Sequence, residues 1–151
     1  MAADDLQEGL LKELIDKSFA MKERSYCPYS KFRVGAALLC ADGSVFTGCN
    51  VENACYSPSI CAERTAIAKA VSEGSRKFKA IVIASDLESF IYPCGVCRQV
   101  MAEFGEDIMV YMTKPDRSYE QRKLSRLLPG SITQKDLLGN EQLKVQGQFS
   151  A

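Results

Sequence analysis

Pro93-Cys94-Gly95-Val96-Cys97-Arg98-Gln99 decides how this chain is read, because it sets two cysteines where an apolar strand-like stretch gives way to a helix. Before it, Ala80 to Ala84 reads as a buried strand. After it a helix is predicted to Phe104, closed by Gly105, and Ile108 to Met112 is another buried strand. Alone, C-x-x-C has three readings: a redox dithiol, half of a zinc site, or two core cysteines.

Working outward, Leu6, Leu10, Leu11, Leu14, Ile15 and Phe19 recur at helical spacing and predict an amphipathic helix to about Arg24, with Asp5 and Glu8 resembling a capping box. Cys27-Pro28-Tyr29-Ser30 ends it. Phe32 to Cys40 and Val45 to Cys49 are strand-like, with Ala41-Asp42-Gly43-Ser44 as the turn of a hairpin. Asn50 to Ile60 reads as an irregular loop, and Ala62 to Glu73 as a helix closed by Gly74. Residues 118–128 fit a last strand or a short helix, and Thr133 is placed to cap a small helix towards Leu138. The order α-β-β-α-β-α-β predicts an α/β fold with helices on both faces of a mixed sheet. It forms one domain over residues 1–138, followed by a polar tail at 139–151.

The bulk composition removes several function classes. With 46% hydrophobic and 25% charged residues, the 151-residue chain is ordinary for a globular protein. Nineteen acidic groups balance nineteen basic ones, so no polyanion partner is indicated. Apolar runs such as Val34 to Cys40 are too short to span a bilayer. The N-terminus carries Asp4 and Asp5 where a signal or transit peptide would be basic, so the cytosol is the expected compartment. Seven cysteines, an odd number, point to metal or catalytic chemistry rather than a disulfide framework. Histidine is absent, which excludes Ser-His and Cys-His nucleophiles and any histidine-ligated zinc within one subunit.

A third thiolate for a metal is available at Cys61, which also opens a helix and so gains from the helix dipole and free backbone N–H groups. Three protein ligands on tetrahedral zinc leave one position open, the mark of a catalytic site. Cys27 and Cys55 remain possible fourth ligands, while Cys40 and Cys49 read as core. Glu63, in the first turn after Cys61, can be a favourable charge at a helix start or a proton shuttle beside the open position.

Cys61-Ala62-Glu63-Arg64 followed by Pro93-Cys94-Gly95-Val96-Cys97-Arg98-Gln99 resembles the zinc motif of cytidine deaminases. Cys27-Pro28-Tyr29-Ser30-Lys31-Phe32 and Asn50-Val51-Glu52-Asn53-Ala54-Cys55-Tyr56 are similar to stretches of the homotetrameric, all-cysteine members. The likeness runs from about residue 26 to residue 138. It implies a three-layer α/β/α fold with a five-stranded mixed sheet, a homotetramer, and pyrimidine salvage by hydrolysis of cytidine or deoxycytidine. By resemblance, Cys61, Cys94 and Cys97 hold Zn²⁺, whose hydroxide attacks C4 of the base while Glu63 shuttles the proton. Substrate contacts fall to Phe32 beside the base and to the loop Asn50, Val51, Glu52, Asn53, Ala54, Cys55 and Tyr56, with Asn50 and Glu52 on the ribose. Turn chemistry is the plainer reading of Asn50 and Asn53, and a core strand position that of Phe32.

Three thiolates on Zn²⁺ carry one surplus negative charge, which Arg64, matched to a family arginine that hydrogen-bonds ligand sulfur, is expected to offset. One departure stands out. Where the family has an aromatic from a neighbouring subunit over the base, in the segment Leu127 to Ile132, this chain has Ile132. Rival readings are a deaminase of another base or aminonucleoside, a polynucleotide deaminase, a zinc-stabilised scaffold or pseudoenzyme, and a redox protein. Neutral charge disfavours the polynucleotide reading, and the last two leave Glu63 without a role.

Overall fold

Seven consecutive residues, Val34–Cys40, form strand β1 and all are buried, which is possible only where both faces of a sheet are covered. In the computed structural model, which describes residues 6–138, that covering comes from helices packed on opposite sides. Helix α1 (Glu8–Lys22) lies on one face, where Leu11, Leu14 and Ile15 meet Ala37, Leu39, Val82 and Tyr111. Helices α2 (Ala62–Ser72) and α3 (Gly95–Ala102) lie on the other, with Ala66, Ile67, Cys97 and Met101 packed among Ala36, Leu38, Ile81, Ile83 and Val110. Alternate side chains of each central strand therefore serve two cores.

The remaining strands are β2 (Val45–Cys49), β3 (Phe78–Ser85), β4 (Met109–Thr113) and β5 (Tyr119–Lys123), in the order β2-β1-β3-β4-β5. Only β3 and β4 pair parallel, joined by α3; the other pairs are antiparallel. Because β2 and β3 both run against β1, they run in the same direction, and Gly35 of β1 pairs with Cys49 on one side and Ala84 on the other. The carboxyl ends of β2 and β3 are thus level, at one end of the sheet. The loops that leave them, 50–61 and 86–94, lead straight into α2 and α3.

The sequence expectations fare unevenly at the boundaries. β1 starts at Val34 rather than Phe32, because Asn50 takes the Val34 N–H and the Phe32 carbonyl that a longer ladder would need. α1 ends at Lys22, short of Arg24, and α3 at Ala102, short of Phe104. Asp5 of the expected capping box and the tail at 139–151 lie outside the described residues; Gln7 occupies the N-cap, with Glu8 already helical. Residues 118–128 hold both alternatives in succession, β5 and then α4 (Leu124–Leu127). Thr133 opens the helical stretch 134–138, and Asp136 reaches back to its N–H and hydroxyl.

How close α2 comes to the sheet is set by Gly48. A Cβ there would lie 2.4 Å from the Ala62 carbonyl oxygen and 2.5 Å from the Ala66 nitrogen, both backbone atoms that cannot swing aside. Gly48→Ala is therefore expected to push α2 off the sheet and to cost about 1–3 kcal/mol of stability by urea denaturation. Gly9→Ala on exposed α1, where a Cβ meets nothing, should instead be neutral or gain about 0.5–1 kcal/mol.

Candidate active site

Cys61 and Cys94 occupy the N-cap positions of α2 and α3, and Cys97 lies in the first turn of α3. The level ends of β2 and β3 bring these two helix starts together, so residues 33 apart in sequence place their sulfurs 3.8 Å apart. All three Sγ atoms lie within 4.8 Å of one another, and among the described residues no further cysteine or carboxylate joins them. Tetrahedral zinc with bonds of about 2.3 Å to sulfur sets its thiolates about 3.8 Å apart, whereas a disulfide needs about 2.05 Å. The donor set fits a tetrahedral metal site, and no disulfide joins these cysteines.

The surrounding charges fit a cation as well. Cys94 Sγ accepts the Cys97 N–H at 3.4 Å, and Arg64 Nη2 donates to Cys61 Sγ at 3.4 Å. Arg64 Nε is buried with no hydrogen-bond partner. A thiol hydrogen bond from Cys97 and the Arg64 guanidinium hold the Cys61 thiol well below its ordinary range. Cys97 is pushed up, first by the hydrogen bond its thiol gives Cys61, then by burial and the nearby Glu63. Three thiols this close cannot all ionise unless a cation replaces their protons.

Glu63 projects from the first turn of α2 and is only 4% exposed. Burial, and then the neighbouring Cys61 thiolate, raise its pKa to about 7. It lines a cavity of about 490 Å³ together with Cys61, Arg64 and Cys94. Phe32, Asn50 and Glu52 line the same cavity. Glu52 Oε1 accepts the Tyr29 and Ser30 N–H groups at 3.1 Å each. The Ser30 side chain, and then these backbone groups, hold its carboxyl below the usual carboxylate range. Asn50 spends most of its side chain on the backbone, Oδ1 accepting Val34 N–H at 2.9 Å and Nδ2 donating to the Phe32 carbonyl at 2.7 Å.

The rest of the expected binding loop lies outside this cavity. Val51 makes paired backbone bonds with Ile60; Asn53 closes a turn by accepting the Cys55 N–H; Ala54 and Cys55 are exposed. Tyr56, 72% exposed and at φ 57°, stands edge-on to Tyr29. Cys40 and Cys49 are buried away from the thiol cluster, as their strand positions led one to expect. Ser30, Ser59, Ile60, Ile91 and Tyr92 also line the cavity, and sequence reasoning passed them over. Ser30, inside the stretch Cys27 to Phe32, and Tyr92, two positions before Cys94, carried a signal. A larger groove of about 700 Å³, between α1 and β4–β5, contains none of these groups.

The model of the cytidine and deoxycytidylate deaminase zinc-binding region matches residues 10–113. The chain belongs to that family. A probable cytidine deaminase of Dictyostelium discoideum is 54% identical over 129 residues, 85% of this chain and 87% of the relative. A cytidine deaminase of Sporosarcina psychrophila is 49% identical over 84% of this chain and 94% of its own. Among solved structures, the Burkholderia pseudomallei cytidine deaminase superposes with a TM-score of 0.79 at 42% identity, covering 84% of this chain and 100% of that one. Zinc is therefore the cofactor that the three thiols of this deaminase-family chain are built to hold.

The raised Glu63 pKa makes a pH-dependent claim on stability. A carboxyl whose folded pKa exceeds its unfolded value favours the fold at low pH, and that contribution is lost as pH climbs from about 4.5 to about 7. In metal-free protein, Glu63→Gln should be more stable than the parent at pH 8, by an amount on the order of 3 kcal/mol, with the advantage gone at pH 4. Urea denaturation at the two pH values checks this.

Proposed function

We propose that this chain hydrolyses cytidine and deoxycytidine to uridine and deoxyuridine with release of ammonia. The observation that carries the reading is a buried carboxyl, Glu63, poised near neutrality beside a three-thiol cluster, in a cavity whose other wall presents Glu52 and Asn50. The relatives named cytidine deaminase point to the same substrate. Cys61, Cys94 and Cys97 would hold the zinc, which when bound supplies a Lewis acid that makes water a nucleophile at neutral pH.

The chain's own groups account for the rest. Glu63 takes a proton from the attacking water and hands it to ring N3 as the C4–O bond forms; it then carries the remaining proton from the new C4 hydroxyl to N4, the C4–N4 bond breaks, and ammonia leaves. A carboxyl that burial raises above its ordinary range is suited to serve as base and then acid in one turnover. Glu52 Oε2 is free of the backbone bonds that hold Oε1, so it can accept a ribose hydroxyl; Asn50 retains one Nδ2 hydrogen for the same sugar. Phe32 supplies an apolar wall for the base. Arg64 offsets the surplus negative charge of three thiolates.

The reading extends to a homotetramer acting in cytoplasmic pyrimidine salvage. Tyr29, Tyr56 and Tyr92, exposed around the cavity mouth, give a second copy apolar surface to cover. No described helix is long and apolar enough to cross a membrane.

Ultraviolet assays of zinc-loaded protein should show turnover of cytidine and deoxycytidine, none of cytosine or blasticidin, and loss of activity on chelation. Glu63→Gln should retain zinc while turnover drops by at least a hundredfold. A variant that keeps its rate would remove Glu63 from the mechanism. Ile132 is 53% exposed on the segment that Gln99 holds through its Ile132 carbonyl bond. Ile132→Phe should restore base stacking and lower KM severalfold, equivalent to about 1 kcal/mol.

A further inference from the structure

One ionic cluster at the site end of the sheet lies outside the cavity, yet it is continuous with the cavity's wall. Asp86, the first residue after β3, accepts Lys22 Nζ at 2.8 Å, Arg33 Nε at 2.8 Å and Arg33 Nη2 at 3.0 Å. Arg33 Nη1 also reaches Glu23 at 2.6 Å. The carboxylate thus ties together the end of α1, the start of β1 and the end of β3. Lys22 is nearly buried, and a two-pronged guanidinium–carboxylate contact fixes direction as well as distance.

Arg33 directly follows Phe32, and the residue before Phe32 is unusual. Lys31 has φ 59°, a left-handed conformation that a side-chain-bearing residue adopts only when its surroundings hold it there. On the amino side, Glu52 grips the Tyr29 and Ser30 N–H groups. Asn50 grips the Phe32 carbonyl. On the carboxyl side Asn50 Oδ1 accepts the Val34 N–H, and Asp86 holds the Arg33 side chain between the two.

We infer that the Arg33–Asp86 pair is a positioning device: it keeps the strained loop 26–33 in the shape that presents Phe32 to the base, and so governs substrate affinity rather than the chemical step. Neither residue lines the cavity, so the pair acts through Phe32. The effect on affinity rests on the cytidine deaminase reading above; the effect on the loop does not.

Two readouts test it in zinc-loaded, full-length protein. Arg33→Gln should raise KM for cytidine about fivefold with kcat within about twofold. In a Phe32→Ala background the same substitution should change KM no further, since a residue that acts through another loses its effect when that residue is gone. Amide hydrogen exchange of Tyr29, Ser30 and Phe32 should quicken in Arg33→Gln. Asp86→Asn should reproduce these results where it folds with Lys22 left unpaired; Arg33→Gln, at a half-exposed position, carries the test if it does not. Unchanged exchange overturns the proposal, as does a KM effect that multiplies with Phe32→Ala, or a fall in kcat accompanied by zinc loss. If the wild type fails to turn over cytidine, the functional reading falls on its own and the exchange comparison still decides the clamp.

Discussion

Two helices beginning side by side at one end of the sheet are the constraint on which the rest depends. That convergence follows from strand direction. β2 and β3 flank β1, run the same way and finish level, so the chain leaving each of them enters a helix at the same place. Gly48 then lets α2 settle directly on the strand. The free N–H groups and partial positive charge of each helix start favour an anion, and both starts carry cysteine. A metal centre arises because the topology brings two anion-favouring ends to one point.

The electrostatics of the site follow from that crowding. Thiols so close together compete for ionisation, and the one beside Arg64 yields its proton first. Burial and neighbouring negative charge raise Glu63, and the same two effects add to the Cys61 hydrogen bond that chiefly pushes Cys97 up. In a proton-transfer group that perturbation is useful, since near neutrality it can both take and give. Lys22, Arg33 and Asp86 use the opposite arrangement, pairing charges so tightly that none is left to react.

Much of this was legible in the chain itself. β2 was placed at its observed bounds, and the three cysteines were legible as a metal donor set from their residue type at helix starts. What was not legible has separate causes. Phe32 looks like the first residue of a strand because it is aromatic and leads an apolar run, but the Asn50 side chain takes the backbone groups that would extend the ladder. Residues 118–128 read two ways because a polar edge strand passes into a helical turn with no intervening loop. Ser59, Ile60 and Ile91 reach the cavity only through folding of distant loops, and no local pattern marks them. The partner of Arg33, 53 positions away, is invisible for the same reason.

The separation between Cys61 and Cys94 has a consequence for how the chain holds together. An ion gripped by both would close a loop of 33 residues that contains all of α2 and β3. In a chain-entropy picture, cross-linking a loop of that length withdraws roughly 3–4 kcal/mol of freedom from the unfolded chain. The metal would then act as a reversible staple for a protein without disulfides among its described residues. It would fasten the crossover connections that must thread over the sheet, and a chelator would loosen the architecture as well as silence the chemistry.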